Sequence, residues 1–209
     1  MIIAVDGPTA SGKGTIAKAL AAHFGLPHLD TGLLYRAVGR QCLLNGGDPD
    51  DQAAALAACA FPESLLEDPE LRSEQSGGLA SRVSVHPDVR QALFERQRGF
   101  ATQAGGAVLD GRDIGTVIAP EAEVKLFVIA SVAARAQRRF LEMQAQGRAV
   151  SLEDIAADLE ARDARDRERK DSPLIAADDA VVLDTSELGR DAAIAAAITL
   201  AEKNPSSRT

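Results

Sequence analysis

The chain is 209 residues long and carries 23 Lys and Arg against 31 Asp and Glu, a formal net charge of −8. That length suits one compact domain with modest insertions, and 45% hydrophobic with 26% charged residues excludes a fibre or disorder along the whole length. The acidic balance disfavours a coat for a nucleic acid polymer, whose affinity comes from positive charge, and the lack of an 18-residue apolar run disfavours a membrane span.

In chain order, Ile2 to Val5 reads as a buried strand, and Ile16, Leu20 and Phe24 mark one face of a helix that stops at Gly25 and Pro27. A second helix opens at Thr31. From Asp48 to Arg82, prolines at 49, 62 and 69 and the pair Gly77, Gly78 break the rhythm, which predicts a small helical insertion. Further strands follow at Ala107 to Leu109, Val124 to Ile129 and Ala180 to Leu183. Ser131 caps a helix running to Gly147, and Ser151 with Asp154 is a capping-box signature for another reaching toward Lys170. Strands alternating with helices imply an α/β fold with right-handed crossovers and a mainly parallel sheet. The NPSSRT tail is expected to fray. MIIAVD has neither the basic start nor the apolar stretch of a signal peptide, so a cytoplasmic monomer is expected. Cys42 and Cys59 form no CxxC pair, and His23, His28 and His86 lack HExxH spacing, so neither a disulfide framework nor structural zinc is expected.

The strongest signal is GPTASGKGT, comprising Gly7, Pro8, Thr9, Ala10, Ser11, Gly12, Lys13, Gly14 and Thr15, set between the first strand and the first helix. It matches GxxxxGK, a loop whose backbone N–H groups wrap an anion at a helix N-terminus. Gly7 and Gly12 permit unusual backbone angles, and Lys13 reaches the β- and γ-phosphates of a nucleotide. The usual Ser or Thr after the lysine is replaced by Gly14, which weakens the case for a protein hydroxyl directly on Mg²⁺. A dinucleotide pattern of Gly12, Gly14 and Ala17 with Asp30 downstream is disfavoured, because its glycines would begin nearer the strand and Lys13 would crowd the turn. No NKxD guanine reader occurs and no Glu follows Asp110 to polarise water, so hydrolysis is not the expected chemistry.

Three other segments carry acceptor-side candidates. LDTGLLYR holds Thr31, Tyr35 and Arg36, the arginine lying about 200° around the helix from Leu34 and so facing away from the core. LDGRDIGT places Asp110, Arg112 and Asp113 at the carboxyl edge of the sheet, where α/β proteins bind ligands; Asp110 is a candidate for orienting hydrated Mg²⁺. In RDARDRERK, Arg162, Arg165, Asp166 and Arg169 share one helix face. Read alone, that pattern is a solvated face with Asp158–Arg162 and Asp163–Arg167 ion pairs; beside a phosphate loop it is a set of arginines for gripping phosphoryl oxygens.

In this order and spacing, GPTASGKGT, LDTGLLYR, VLDGRDIGT and RDARDRERK resemble the bacterial cytidylate kinases, within the nucleoside monophosphate kinase family. The resemblance implies a P-loop NTPase fold, three-layer α/β/α with a five-stranded parallel sheet, as a single domain over 1–209. It also implies a monophosphate-binding region at about 31–105 and a lid at about 147–172. It implies ATP as donor with Mg²⁺, held indirectly through water by Asp110, and CMP or dCMP as acceptor. By the same resemblance Lys13, Arg112, Arg162 and Arg169 are catalytic. Ser81, Arg90 and Asp113 read the cytosine, Tyr35 flanks it, and Thr31, Arg36 and Arg112 serve the acceptor phosphate end. Arg162 and Asp166 meet the sugar hydroxyls and phosphate, and Arg169 the lid side of the transferred group. Many family members carry a short strand hairpin in the insertion, whereas Ala58 to Leu71 is too brief and helix-leaning to supply one. A small kinase for UMP, AMP or shikimate and an ATP-sensing protein remain the alternatives.

Overall fold

The computed structural model describes residues 1–203, so the NPSSRT tail lies outside the described residues. Five parallel strands, β1 (Ile2–Asp6), β2 (His28–Asp30), β3 (Ala107–Gly111), β4 (Val124–Ile129) and β5 (Val181–Asp184), lie in the order β2-β3-β1-β4-β5. Four match the apolar runs of the sequence, with β3 extending through Asp110 to Gly111. β2 is the addition: three half-buried residues are too short for periodicity to reveal, and register against β3 (His28 beside Val108, Asp30 beside Asp110) makes them a strand.

The helices are α1 (Lys13–Phe24), α2 (Thr31–Leu44), α3 (Gln52–Ala57), α4 (Glu74–Val83), α5 (Pro87–Ala101), α6 (Val132–Ala145), α7 (Leu152–Glu168) and α8 (Arg190–Lys203). Gly25 closes α1 in the left-handed conformation. The Ser131 and Ser151 hydroxyls cap α6 and α7 by accepting from the N–H groups of Ala134 and Asp154. The expected reach toward Lys170 is too long: α7 ends at Glu168, and Arg169 turns away in an extended conformation. Periodicity left α5 and α8 unread. On α5 the buried stripe includes Arg90 and Gln97 beside Val89 and Leu93, and on α8 it consists of Ala193, Ala197 and Ala201 in an alanine-rich segment, so neither face contrasts with its opposite.

Side chains alternate across the sheet. Ile3, Val5, Leu126 and Val128 pack with Ile16, Leu20 and Ala197, whereas Ala4 and Leu109 pack with Ile114 and Ile118 on the other face. The insertion is helical as expected: α3 and three short 3₁₀ turns (Ala58–Ala60, Glu63–Glu67, Pro69–Arg72) precede α4, and it holds no strand. Its own core joins Leu34, Val38, Leu71, Val83 and Leu93. Gly39 lets α2 and α4 close on each other, since a Cβ there would sit 2.6 Å from that of Leu79.

Behind the phosphate loop, Arg135 of α6 is fully buried. Its guanidinium donates to both carboxylate oxygens of Asp163 at 3.1 and 2.6 Å and to the carbonyl of Thr9 at 3.0 Å, fixing α7 and the loop to one another. Asp163, expected to pair with Arg167 on a solvated face, has that exposed arginine only at 4.0 Å. The i,i+4 pattern could not report a partner 28 residues away. Arg135→Ala leaves a buried carboxylate unpaired and is expected to cost about 3 kcal/mol of stability, measurable as a lowered urea midpoint.

Candidate active site

β1 delivers the chain into a loop whose shape only its glycines permit. A Cβ on Gly7 would lie 2.1 Å from the carbonyl oxygen of Val128, and Gly12, at φ 90°, caps α1 in a conformation side chains disfavour. The first-turn N–H groups of α1 have no helical partner and face outward at the positive end of the helix dipole, a ready anion site. The Lys13 ammonium donates to the carbonyl of Pro8 at 3.3 Å.

At the carboxyl ends of β1, β2 and β3, the edge where α/β sheets bind ligands, lies a cavity of about 240 Å³. Thr9, Ala10, Lys13 and Gly14 line it from the loop; Thr31, Tyr35 and Arg36 from α2; Ser81 and Arg90 from α4 and α5; Asp110, Arg112 and Asp113 from β3 and the turn after it; Arg162, Asp166 and Arg169 from α7 and its end. All the acceptor-side residues carried over from the resemblance therefore converge. Gly7, Pro8, Ser11, Gly12 and Thr15 shape the loop without lining this cavity. Arg165, on the same nominal face of α7, is exposed. Arg169 enters because the helix has ended and the chain bends back. A second cavity of about 320 Å³ between α4, α6 and α7 shares Thr9, Ala10, Arg36, Gly77 and Arg162 with the first, so the two form one cleft under α7.

Within the cleft the arginines are partly engaged. Arg112 donates from Nε to Asp166 at 2.7 Å and from Nη2 to the Thr9 hydroxyl at 2.6 Å. Arg90 pairs with Asp113 and stacks over the Tyr35 ring, 5.7 Å from its centre. Arg36 donates to the carbonyl of Leu71 at 2.8 Å. Arg162 has Asp158 at 3.5 Å and Glu74 at 3.6 Å; among the described residues its Nε, Nη2 of Arg169 and the Ser81 hydroxyl are buried without a hydrogen-bond partner, Asp113 lying 4.0 Å from Nη2 of Arg169.

Burial, helped by neighbouring cations, makes most of the basic groups here hold their protons less tightly than in water. Burial, with Arg112 close by, pushes Lys13 down to about 8 against the opposing pull of Asp110 and Asp30. Burial and neighbouring cations also lower Arg36, Arg162 and Arg169. Burial works to lower Arg112 and raise Asp166, but their mutual attraction prevails in both, so Arg112 rises and Asp166 falls. The desolvation of these cations is offset once an anion arrives between them.

Four residues in or beneath the site were given no role there by the sequence motifs. Asp6, on the last position of β1, accepts from the N–H groups of Ile114 and Gly115 at 2.9 and 2.8 Å and fixes the turn bearing Arg112 and Asp113; burial drives its carboxyl up to about 7, those two N–H groups opposing. Asp30 lines the cavity itself; weighed only as a ribose-binding acid, it had as its remaining signal its place inside LDTGLLYR. His28 touches Asp110, and Glu74 reaches across from α4 to Arg139 and Arg162; neither has a sequence signal, because each depends on a contact between distant elements.

The family profile described as Cytidylate kinase matches residues 3–203. A curated cytidylate kinase of Azorhizobium caulinodans is 53% identical over 97% of this chain and 98% of that protein. One of Cereibacter sphaeroides is 56% identical over 96% and 94%, respectively. Among solved structures, an uncharacterized protein from Eubacterium ventriosum superposes with a TM-score of 0.57 at 16% identity, covering 97% of this chain and 98% of that one, a likeness of fold.

Proposed function

Because the chain belongs to the cytidylate kinase family, we propose that it transfers the γ-phosphoryl group of ATP to CMP or dCMP, giving ADP and CDP or dCDP. The observation that carries this is the convergence of Lys13, the arginines and a base-sized recess on one cavity at the sheet's carboxyl edge.

The acceptor phosphate has a second pKa of about 6 and is largely dianionic at neutral pH, so no side chain need remove a proton. The chain's task is positioning and neutralisation of spreading charge. The loop N–H groups and Lys13 hold the donor's β- and γ-phosphates. Arg36 and Arg112, with Thr31 at the start of α2, hold the acceptor phosphate. The recess of Ser81, Arg90 and Asp113 offers a carboxylate to accept from an exocyclic amine beside guanidinium and hydroxyl donors for ring N3 and O2. That is the edge of cytosine; uracil presents N3–H and O4 instead and mismatches it. Tyr35, whose ring lies under Arg90, flanks the base. Arg162 and Asp166 take the sugar hydroxyls and phosphate, and Arg169 the side of the transferred group facing α7.

Residues 31–105 then act as the acceptor region and 147–172 as a lid, assignments supported by the separate core of α2 to α5 and the small cluster of Ala136, Met143, Ile155 and Leu159 joining α6 to α7. A lid there excludes water and limits wasted hydrolysis. Magnesium suits the donor set. Asp110, a carboxylate at the strand end with Oδ2 facing the start of α1, suits a hard cation that keeps its waters and travels on the nucleotide. Asp110 would hold it through water, and when bound the ion neutralises charge on the phosphates.

An ADP-release assay with CMP, dCMP, UMP, AMP and no acceptor tests the assignment. Activity with CMP or dCMP is expected to exceed that with UMP or AMP by about 10²-fold or more in kcat/KM, since buried polar groups would be left unpaired by the wrong base. Equal ADP release without acceptor would indicate an ATPase, and activity confined to AMP or UMP a different kinase.

A further inference from the structure

Among the described residues, the Asp110 carboxylate has one hydrogen-bonding partner, and it comes from outside every motif: Nε2 of His28, 2.7 Å from Oδ1. A carboxylate only accepts, so Nε2 carries the proton. His28 opens β2, the strand at the edge of the sheet, and the parallel register sets Asp30 rather than His28 beside Asp110, so the imidazole reaches along the sheet edge to the carboxylate. The aspartate side chain is 5% exposed and that of His28 16%. The other oxygen, Oδ2, faces the start of α1: a Cβ on Gly14 would lie 3.5 Å from it. Gly14 stands where phosphate loops ordinarily place the hydroxyl that meets the cation, so this chain has a carboxylate and open space there.

We propose that His28 is a positioning residue for the phosphoryl transfer described above: by donating to Oδ1 it holds the Asp110 carboxylate with Oδ2 turned toward the hydrated divalent cation that arrives on the donor phosphates. The terminal torsion of an aspartate is broad and two-fold. Without a donor on one side, this carboxylate is free to swing toward Lys13, whose ammonium already senses its charge. With Oδ1 pinned, one oxygen and one direction remain for the water shell of the ion. No proton moves in this role; a fixed N–H is sufficient, as with the outer-sphere partners that orient metal-binding carboxylates elsewhere.

His28→Phe keeps a flat ring and removes the donor, whereas His28→Gln keeps a donor of similar reach. Mn²⁺ binding to the protein with ADP, followed by electron paramagnetic resonance, reads the effect without catalysis; steady-state kinetics with ATP and CMP reads it in turnover. In His28→Phe both Mn²⁺ affinity and kcat are expected to fall about 10-fold, with KM for CMP unchanged and thermal unfolding still cooperative. His28→Gln is expected to recover both to within about 3-fold of the parent. Parental Mn²⁺ affinity in His28→Phe would overturn the role, as would a loss that appears equally in KM for CMP and is not recovered by Gln. A parent protein that transfers nothing to CMP, yet whose Mn²⁺ affinity depends on His28, would reject the acceptor assignment and leave the positioning role standing.

Discussion

Lys13→Ala is expected to lower kcat by about 10³-fold, the scale of losing a preorganised charge from the point where transition-state charge develops. The fold should be unaffected, because among the described residues the ammonium makes a single 3.3 Å bond, to the Pro8 carbonyl, and the backbone angles of the loop are set by Gly7 and Gly12. Stability gives a second, opposite reading. The folded pKa of Lys13 is lowered from 10.5 to about 8 by burial, so below pH 8 both folded and unfolded chains carry the charge and the folded one bears its desolvation. Between pH 8 and 10.5 the folded protein holds fewer protons than the unfolded one, and the lysine's contribution to stability improves as pH rises. Near neutrality the alanine variant is thus expected to match or exceed the parent in urea midpoint while losing turnover. In the parent, kcat/KM for ATP should decline as pH rises through about 8. A variant with turnover within 10-fold of the parent would reject Lys13 as the γ-phosphate contact, given the magnitude expected of such a group.

The difference between Lys13 and His28 shows which parts of the site a sequence can express. The loop is legible because its demands are local: glycine where φ is positive or a Cβ would strike Val128, a lysine one residue on, and an apolar strand and helix on either side. Asp110 and Arg112 are legible for a related reason, since the end of a buried strand in an α/β sheet is a ligand edge. The arginines of α7 stood between two meanings, and only the tertiary structure separates them. Arg162 and Asp166 are buried against the cleft, Arg165 faces solvent, and Arg169 arrives by leaving the helix. What stayed silent depends wholly on contacts between distant segments. His28 acquires its partner from residue 110, Asp163 from residue 135, and β2 exists only because β3 offers hydrogen bonds to three residues with no pattern of their own.

Arg112→Ala is expected to reduce kcat/KM for CMP by about 10³-fold, and Arg112→Lys to recover less than 10-fold of that, because a point charge cannot replace a fork that serves two partners at once. One arm of the guanidinium holds Asp166 on α7 and another holds the Thr9 hydroxyl in the phosphate loop, so the side chain ties the loop to α7 while facing the cavity. Its loss therefore removes a phosphate contact and a link that brings the two substrates' sites into register. The same variant has a signature in stability that a mere contact loss would not give. In the parent, Arg112 holds the Asp166 carboxyl below its ordinary value of 3.8 despite burial, so Asp166 contributes stability above that pH and loses it as pH falls through the folded pKa. Without Arg112 the largest remaining influence is burial, opposed by Arg169 and Lys13, so the folded pKa moves upward from its value in the parent. The folded variant then keeps its proton to higher pH than the parent does, and its stability relative to the parent declines as pH rises from the acid range toward neutrality. Urea midpoints of parent and variant should therefore lie close together near pH 4 and separate toward pH 7. A gap independent of pH would show that the Asp166 carboxylate draws its stabilisation from elsewhere in the cleft.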